Sequence, residues 1–243
     1  MTPSQANRHV AEESPGWGGA LNSVWRPAGM VYLTAMLIGL AAGLWPGGVR
    51  GSVDPYWPSS VPAVQTLTVA QVGFYLLAYP MIVIFRSRPK PRGRFWTNTV
   101  VEMLFWAAVA GVFYIPAVWL SGSGPMDAFR GAGYILSLWP MVWACRAWLV
   151  RPGRGGAVVL LISLFAGIGL PWLWYVSAEF FPGLGWSDAL WRLCPITQAW
   201  DVAAPGGRAG GLAPVWAVAV WPVIAGVMFA IRMIAGPGEQ DTP

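Results

Sequence analysis

One acidic residue, Glu102, lies inside a predicted membrane span of this chain. An ionisable side chain in a membrane helix is costly, which makes Glu102 a candidate for transport or energy coupling. A structural interpretation stays open beside it. Glu102 lies near the start of its helix, where the helix dipole favours a carboxylate and where Arg94 or another loop cation can pair with it. The sequence therefore marks Glu102 as a candidate coupling or intramembrane polar site.

Arg146 is the second charged residue of interest, near the end of a later apolar stretch. A long arginine side chain at such a position can extend to the lipid headgroups while its stem stays in hydrocarbon. We therefore expect Arg146 to act as a structural anchor.

Catalytic and metal-binding groups are missing from the sequence. His9 is the only histidine, which excludes bis-histidine haem ligation and multi-histidine copper or iron sites within this chain. Phosphate-binding, serine-protease and zinc-protease motifs are absent. Cys145 and Cys194 form no metal or redox motif, and no disulfide is expected between them. We therefore predict no enzymatic activity, no cofactor and no metal.

The composition is typical of a membrane protein. Hydrophobic residues make up 56% of the chain and charged residues 10%, whereas soluble proteins are nearer to about 25% charged. The 17 tryptophans favour membrane interfaces. The net charge of +5 comes from short loops beside apolar segments, so nucleic acid is not expected as a partner. The expected surroundings are a lipid bilayer.

Six stretches meet or approach the roughly 20 apolar residues that a membrane helix needs. They are 28–45, 64–85, 98–120, 132–150, 157–176 and 213–233. The predicted fold is therefore an all-α polytopic membrane protein. Residues 1–27 are expected to be a polar N-terminal segment without a cleaved signal peptide, 28–235 the transmembrane domain, and 236–243 a short tail.

A basic loop between the second and third stretches indicates the orientation. Nine residues of this loop hold five cations and no acid: Arg86, Arg88, Lys90, Arg92 and Arg94. Across all loops, 11 cations fall on this side of the predicted membrane and 4 on the other. Because cation-rich loops stay cytoplasmic, both termini are predicted inside, as an even number of spans requires. The basic loop is thus a topology signal or a docking site for a partner.

The longest predicted outer connection, 177–212, is rich in aromatic residues. Ser187 and the residues after it predict a short capped amphipathic helix that lies at the interface or returns into the protein. We expect an outer interaction surface here, with Trp186, Trp191 and Trp200 as its aromatic members.

Two packing signals occur within the spans. Gly39 and Gly43 form a Gly-x-x-x-Gly pair, which permits close helix contact. Five spans contain a proline, which predicts bent helices: Pro80, Pro116, Pro140, Pro171 and Pro222.

The run Gly169-Leu-Pro-Trp-Leu-Trp-Tyr, followed by Trp191-Arg-Leu-Cys-Pro-Ile-Thr-Gln-Ala-Trp before the last span, resembles the permease subunits of ABC-2-type transporters. The six-span layout with a long outer segment is similar too. The resemblance implies a homodimer or heterodimer with a separate cytoplasmic ATPase, exporting a lipid, glycan, drug or ion. It implies ATPase contacts at 17–26 and 86–96, and a bacterial cytoplasmic (inner) membrane as the location.

A different class of function stays open. The basic loop is short and interrupted by prolines, which leaves little room for a helix that contacts an ATPase. The sparse chemistry of the chain also suits a non-catalytic accessory subunit of a larger membrane complex. Its partners would then be other membrane subunits, bound through the aromatic outer segment.

Overall fold

The computed structural model describes residues 17–44, 63–86, 92–121, 124–149, 154–181, 185–204 and 213–234. Every element in these ranges is helical, which confirms the all-α class. The elements are α1 (Trp17–Leu44), α2 (Ala63–Gly73), π1 (Phe74–Ala78), α3 (Tyr79–Arg86), α4 (Arg92–Ser121), α5 (Pro125–Leu149), α6 (Arg154–Leu164), π2 (Phe165–Gly169), α7 (Leu170–Phe180), α8 (Trp186–Leu193), α9 (Pro195–Val202) and α10 (Ala213–Ile234).

Four helical stretches among the described residues are long and apolar enough to cross a membrane: Pro27–Leu44, Ala63–Phe85, Val100–Trp119 and Gly155–Phe180. They cover four of the six predicted spans. Helices α5 and α10 cover the other two, but they do not meet both criteria within the described residues. The structure thus supports a membrane protein, and the number of six spans stays a prediction.

Helices α1 and α2 approach closely at the Gly-x-x-x-Gly pair. A Cβ atom on Gly43 would overlap the Cα atom of Ala63, and one on Gly39 would lie 2.9 Å from the Cβ atom of Ala70. The Thr66 hydroxyl donates across the contact to the carbonyl oxygen of Gly39 at 2.7 Å. The close contact predicted from the glycine spacing is therefore confirmed.

Two π-helical turns interrupt the long helices, each at the same distance before a proline. In π1 the N–H of Tyr79 donates to the carbonyl of Phe74, and in π2 the N–H of Leu170 donates to the carbonyl of Phe165. The next residue in each case is proline, which has no N–H and whose ring crowds the preceding turn. A widened turn relieves that crowding, and such turns are frequent at functional sites.

The two π turns contact each other in the bundle. Gly167 of π2 lies so close to Leu77 of π1 that a Cβ atom would overlap the leucine side chain, and it would lie 3.3 Å from the Cβ atom of Leu76. The irregular turns of two separate helices are therefore packed together.

Helices α8 and α9 form a short helical pair in the predicted outer segment. The helix expected after Ser187 is confirmed as α8, but the expected serine cap is wrong. Helix α8 starts after Gly185, whose φ of 66° is left-handed, and no side chain caps it. The backbone of Cys194 is extended, and Pro195 then starts α9 at its first turn, a position that proline favours.

The two short helices are packed differently. Helix α8 has no buried residue, whereas α9 buries most of its length against α2 and α5. The predicted helix, α8, therefore lies on the surface, and the part of the segment that returns into the bundle is α9, a second helix that the sequence did not predict.

Candidate functional site

Glu102 and Arg146 form an ion pair between α4 and α5. The Glu102 side chain is 0% exposed and that of Arg146 is 11% exposed. This ion pair differs from what the sequence predicts for each of the two residues. Glu102 pairs with a helix residue, whereas Arg94 or another loop cation was expected. Arg146 turns inward to the carboxylate, so the prediction that it extends to the headgroups is wrong. The Arg146 side chain reaches the buried carboxylate because an unpaired charge in an apolar interior has a high desolvation cost.

Two more side chains contact the pair. The Arg146 guanidinium donates to the hydroxyl oxygen of Tyr79 at 2.9 Å. The indole N–H of Trp106, one turn along α4, lies 3.4 Å from Oε1 of Glu102. Tyr79 directly follows π1, and its backbone N–H donates the hydrogen bond to the Phe74 carbonyl that closes the widened turn. The π turn therefore positions part of the site.

A cluster of buried aromatic rings packs beside the pair in the interior of the bundle. Tyr32 of α1 packs against Trp106 at a centroid distance of 4.8 Å and against Phe74 at 4.9 Å. Tyr75 and Tyr79 continue the cluster, and all five rings are 3% exposed or less. Edge-to-face packing of this kind makes a rigid apolar wall. In such surroundings an ion pair is screened less than it would be at a surface.

A chain of hydrogen bonds leads away from the pair through the interior. The Tyr32 hydroxyl donates to the backbone carbonyl of Trp106 at 3.2 Å, and it accepts from Nε2 of Gln71 at 3.0 Å. The Tyr114 hydroxyl lies 3.3 Å from Oε1 of Gln71 and 2.8 Å from the hydroxyl of Thr68. We call Glu102, Arg146, Tyr79, Trp106, Tyr32, Gln71, Tyr114 and Thr68 the polar column.

The polar column is more than half as long as the hydrocarbon core of a bilayer is thick. Glu102 and Tyr114 lie at its two ends on α4, and their separation along the helix corresponds to about 18 Å at 1.5 Å per residue. The hydrocarbon core of a bilayer is about 30 Å thick. The column therefore extends over more than half of a membrane crossing, through side chains from α1, α2, α3, α4 and α5.

A second polar cluster holds α9 in the bundle. Oε1 of Gln198 lies 2.9 Å from the Tyr134 hydroxyl and 3.2 Å from the indole nitrogen of Trp221. Nε2 of Gln198 donates to the carbonyl of Arg192. Nε2 of Gln65 donates to the carbonyl of Trp200 at 2.9 Å. Gln198 thus joins α9 to α5, α8 and α10, and Gln65 joins it to α2.

The three predicted interaction tryptophans have different surroundings. Trp186 is 69% exposed. Trp191 is partly buried, since it donates to Asp201 and packs against Trp174 at a centroid distance of 4.6 Å. Trp200 is also partly buried. Within the described residues, Trp191 therefore holds the helical pair together, and Trp186 is the one with a largely free surface.

The side chains of the basic loop lie outside the described residues. Arg86 ends α3 and Arg92 starts α4, with Arg94 in the first turn of α4. Arg88 and Lys90 fall in 87–91, between the two described helices. The prediction that these five cations determine topology or bind a partner is therefore not tested by the structure.

Sequence reasoning did not identify the uncharged members of the polar column. Gln71, Thr68 and Tyr114 lie within stretches that the sequence predicts as apolar membrane spans. The sequence does contain a signal for two of them, because Thr68 and Gln71 are polar residues within an apolar stretch of membrane length. Such residues commonly form hydrogen bonds between membrane helices. The described residues hold no group of three or more His, Cys, Asp or Glu side chains that could bind a metal.

Comparison of the chain with protein-family models, with curated proteins and with solved structures gives no match. The geometry of the ion pair and the polar column is therefore the basis for assigning a function.

Proposed function

We propose that this chain is the permease-like membrane subunit of a multi-component export system, driven by a separate cytoplasmic ATPase. It would cross a bacterial inner membrane six times with both termini inside. The observation that carries the proposal is the buried Glu102–Arg146 pair at one end of the polar column. Charged groups inside membrane proteins are rare, and they commonly mark substrate or ion pathways.

The pair is suited to a moving part because it joins two different helices. A buried ion pair contributes little net stability compared with apolar residues of similar volume, although breaking it is costly. Packing alone therefore gives no reason for an acid and a cation at this place. A pair that is closed in one arrangement of α4 and α5 and open in another would give the bundle two discrete states, which alternating access requires.

The π turns support the same interpretation. They provide two widened helical turns in contact with each other, and π1 directly precedes Tyr79 of the polar column. Turns of this type are rare, and they frequently occur at functional sites. A small change at π1 would move the Tyr79 hydroxyl relative to Arg146.

A second candidate, an accessory subunit of a larger membrane complex, is favoured by one observation. Helix α3 ends at Arg86 and α4 starts at Arg92, so only residues 87–91 connect them. A connection of five residues leaves little room for a further helix that contacts an ATPase, because a single helical turn already takes 3.6 residues. An accessory subunit has no need of such a helix.

Co-purification distinguishes the two candidates. The chain would be purified from native membranes in mild detergent through an affinity tag, and its partners identified by mass spectrometry. The permease proposal expects a stoichiometric P-loop ATPase. Stable association with redox or pigment-binding subunits, and with no ATPase, would favour the accessory function.

A further inference from the structure

A groove of about 450 Å³ lies between α4 and α5, apart from the ion pair. Small residues line its α4 wall at Ala107, Ala110 and Gly111, and its α5 wall at Ala128 and Ala132. Small side chains on two facing helices leave space between the backbones that larger residues would fill. The volume is at the lower end of the range for small-molecule sites, about 300–1,000 Å³, so it suits one slender molecule.

The rim of the groove is apolar and exposed. Ile115 is 65% exposed, Trp119 85% and Phe129 72%. Ile115 and Trp119 belong to a helix that is long and apolar enough to cross a membrane. In a bilayer the groove would therefore open sideways into the hydrocarbon and admit a ligand from the lipid.

The deepest part of the groove is polar but uncharged. Gln71 is 1% exposed and Tyr114 7%, and both line the groove. The side-chain amide of glutamine carries two N–H donors, and the hydrogen bond from Nε2 to the Tyr32 hydroxyl uses one of them. The lining residues include no Asp, Glu, Lys, Arg or His. An ionised headgroup would therefore find no counter-charge, whereas a neutral oxygen can accept a hydrogen bond.

We propose that this groove binds a neutral single-chain lipid, meaning a hydrocarbon chain with a hydroxyl or carbonyl oxygen at one end. The oxygen accepts a hydrogen bond from the Gln71 amide, and the chain lies between α4 and α5 and leaves the groove past its exposed rim at Ile115 and Trp119. This binding site is independent of the proposed transport function, since it requires neither an ATPase nor a second subunit.

The hydrogen bond decides which molecule stays in the groove. Lipid tails are as apolar as the groove wall, so apolar surface alone gives the chain little reason to leave the bilayer. A polar oxygen that is buried in hydrocarbon without a partner is strongly disfavoured, and Gln71 supplies the partner there. We therefore expect an alcohol to bind and an alkane of equal length not to bind.

One substitution blocks the groove with little risk to the fold. A Cβ atom on Gly111 meets no atom within 4 Å, so Gly111→Leu places its side chain in open groove space. Gly226 on α10 is a matched control, because it is also an exposed helical glycine with open space at Cβ, and it does not line the groove. A second variant, Gln71→Met, removes the amide donor at similar volume.

The test uses photoreactive hexadecanol with a diazirine on its chain, applied to the purified protein in detergent, with labelled peptides identified by mass spectrometry. We expect saturable labelling of α4 and α5 peptides, competed by unlabelled hexadecanol and not by hexadecane. Gly111→Leu should reduce the affinity by about tenfold or more, a difference readily resolved by competition. Gly226→Leu should leave it unchanged, and Gln71→Met should abolish the preference for the alcohol.

Several outcomes would overturn the assignment. Equal labelling of wild type and Gly111→Leu, or labelling that hexadecanol does not compete, would show ordinary contact with surrounding detergent or lipid. Competition by palmitate as strong as that by hexadecanol would contradict a neutral ligand. A change in oligomeric mass in Gly111→Leu, without saturable hexadecanol binding, would show that the groove is a helix-packing face between copies of the chain.

Discussion

Arg146 on α5 donates to the carboxylate of Glu102 on α4, at a place where the Glu102 side chain is 0% exposed. The Tyr79 hydroxyl accepts a second hydrogen bond from the same guanidinium at 2.9 Å. Each charge depends on the other, because the Glu102 side chain is fully buried and the Arg146 side chain is only 11% exposed. Removing one charge should therefore affect the protein very differently from removing both.

Glu102→Gln should destabilise the protein by about 3–5 kcal/mol, because it leaves the Arg146 charge buried without its carboxylate. The quantity to measure is the free energy of unfolding in mixed micelles during an SDS titration, followed by tryptophan fluorescence. Arg146→Met should give a loss of similar size, since it leaves the carboxylate alone.

The double variant Glu102→Gln/Arg146→Met serves as the control for this prediction. It removes both charges at once, so most of the lost stability should return. If the losses of the two single variants simply add in the double variant, the two side chains do not stabilise each other, and the pairing is refuted.

Gly43→Ala should push α1 away from α2, because the new Cβ atom would overlap the backbone of Ala63. Overpacking of this kind costs about 1–3 kcal/mol. The midpoint of thermal unfolding in detergent should fall for this variant.

Gly29→Ala on the same helix is the matched control. Its Cβ atom would meet only the Trp106 ring at 3.7 Å, which is an ordinary contact. Its unfolding midpoint should stay at the wild-type value. A Gly43→Ala variant as stable as Gly29→Ala would mean that the two helices are farther apart than the structure has them.

Gln198→Leu should release α9 from the bundle, because it removes the side chain that joins Tyr134, Trp221 and the carbonyl of Arg192. Cys194, at the start of α9, is 0% exposed and reports this release through its reaction with a maleimide. Unsatisfied buried polar groups cost about 1–3 kcal/mol, so the reaction should become about tenfold faster.

Trp186→Phe is the control for the release of α9, since Trp186 is 69% exposed on the neighbouring helix α8. The reactivity of Cys194 should not change in this variant. If Cys194 reacts as slowly in Gln198→Leu as in the wild type, other contacts are sufficient to hold α9 in the bundle.

Neutralising Arg86, Arg88, Lys90, Arg92 and Arg94 should disturb the orientation of the protein in the membrane, because cation-rich loops are retained on the cytoplasmic side. A reporter of location fused at Gly93 measures the outcome. Neutralising Arg50 and Arg208, on the predicted outer side, should leave the reporter cytoplasmic. A reporter that stays cytoplasmic after all five loop cations are replaced would show that other loops determine the orientation.

The sequence predicted the positions of the long helices because apolar stretches of membrane length are a local property. It also predicted the close contact at Gly39 and Gly43 from their spacing alone. The partner of Glu102 was not predictable in this way, since Arg146 is distant in the chain and only the packing of α4 on α5 brings the two together. In the sequence itself, the loop cations are the nearest candidates.

The irregular helices were harder to predict for a different reason. Each proline predicted a bend, but the π turns before Pro80 and Pro171 depend on how the surrounding bundle accommodates the crowded turn. The sequence did not predict helix α9, because the burial of this helix comes from contacts with α2 and α5 that are distant in the chain. The proline at its first turn was the one local signal for its start.

The most direct test of the proposed function is ATP hydrolysis by the complex that co-purifies with this chain, reconstituted in lipid vesicles. We compare the wild type with Glu102→Gln/Arg146→Met, which should assemble normally but lacks the pair between α4 and α5. The proposal predicts hydrolysis by the wild-type complex and a decrease of about tenfold in the double variant, equivalent to 1.4 kcal/mol in the activation barrier. Absence of hydrolysis in the wild-type complex, or equal hydrolysis in both, would contradict it.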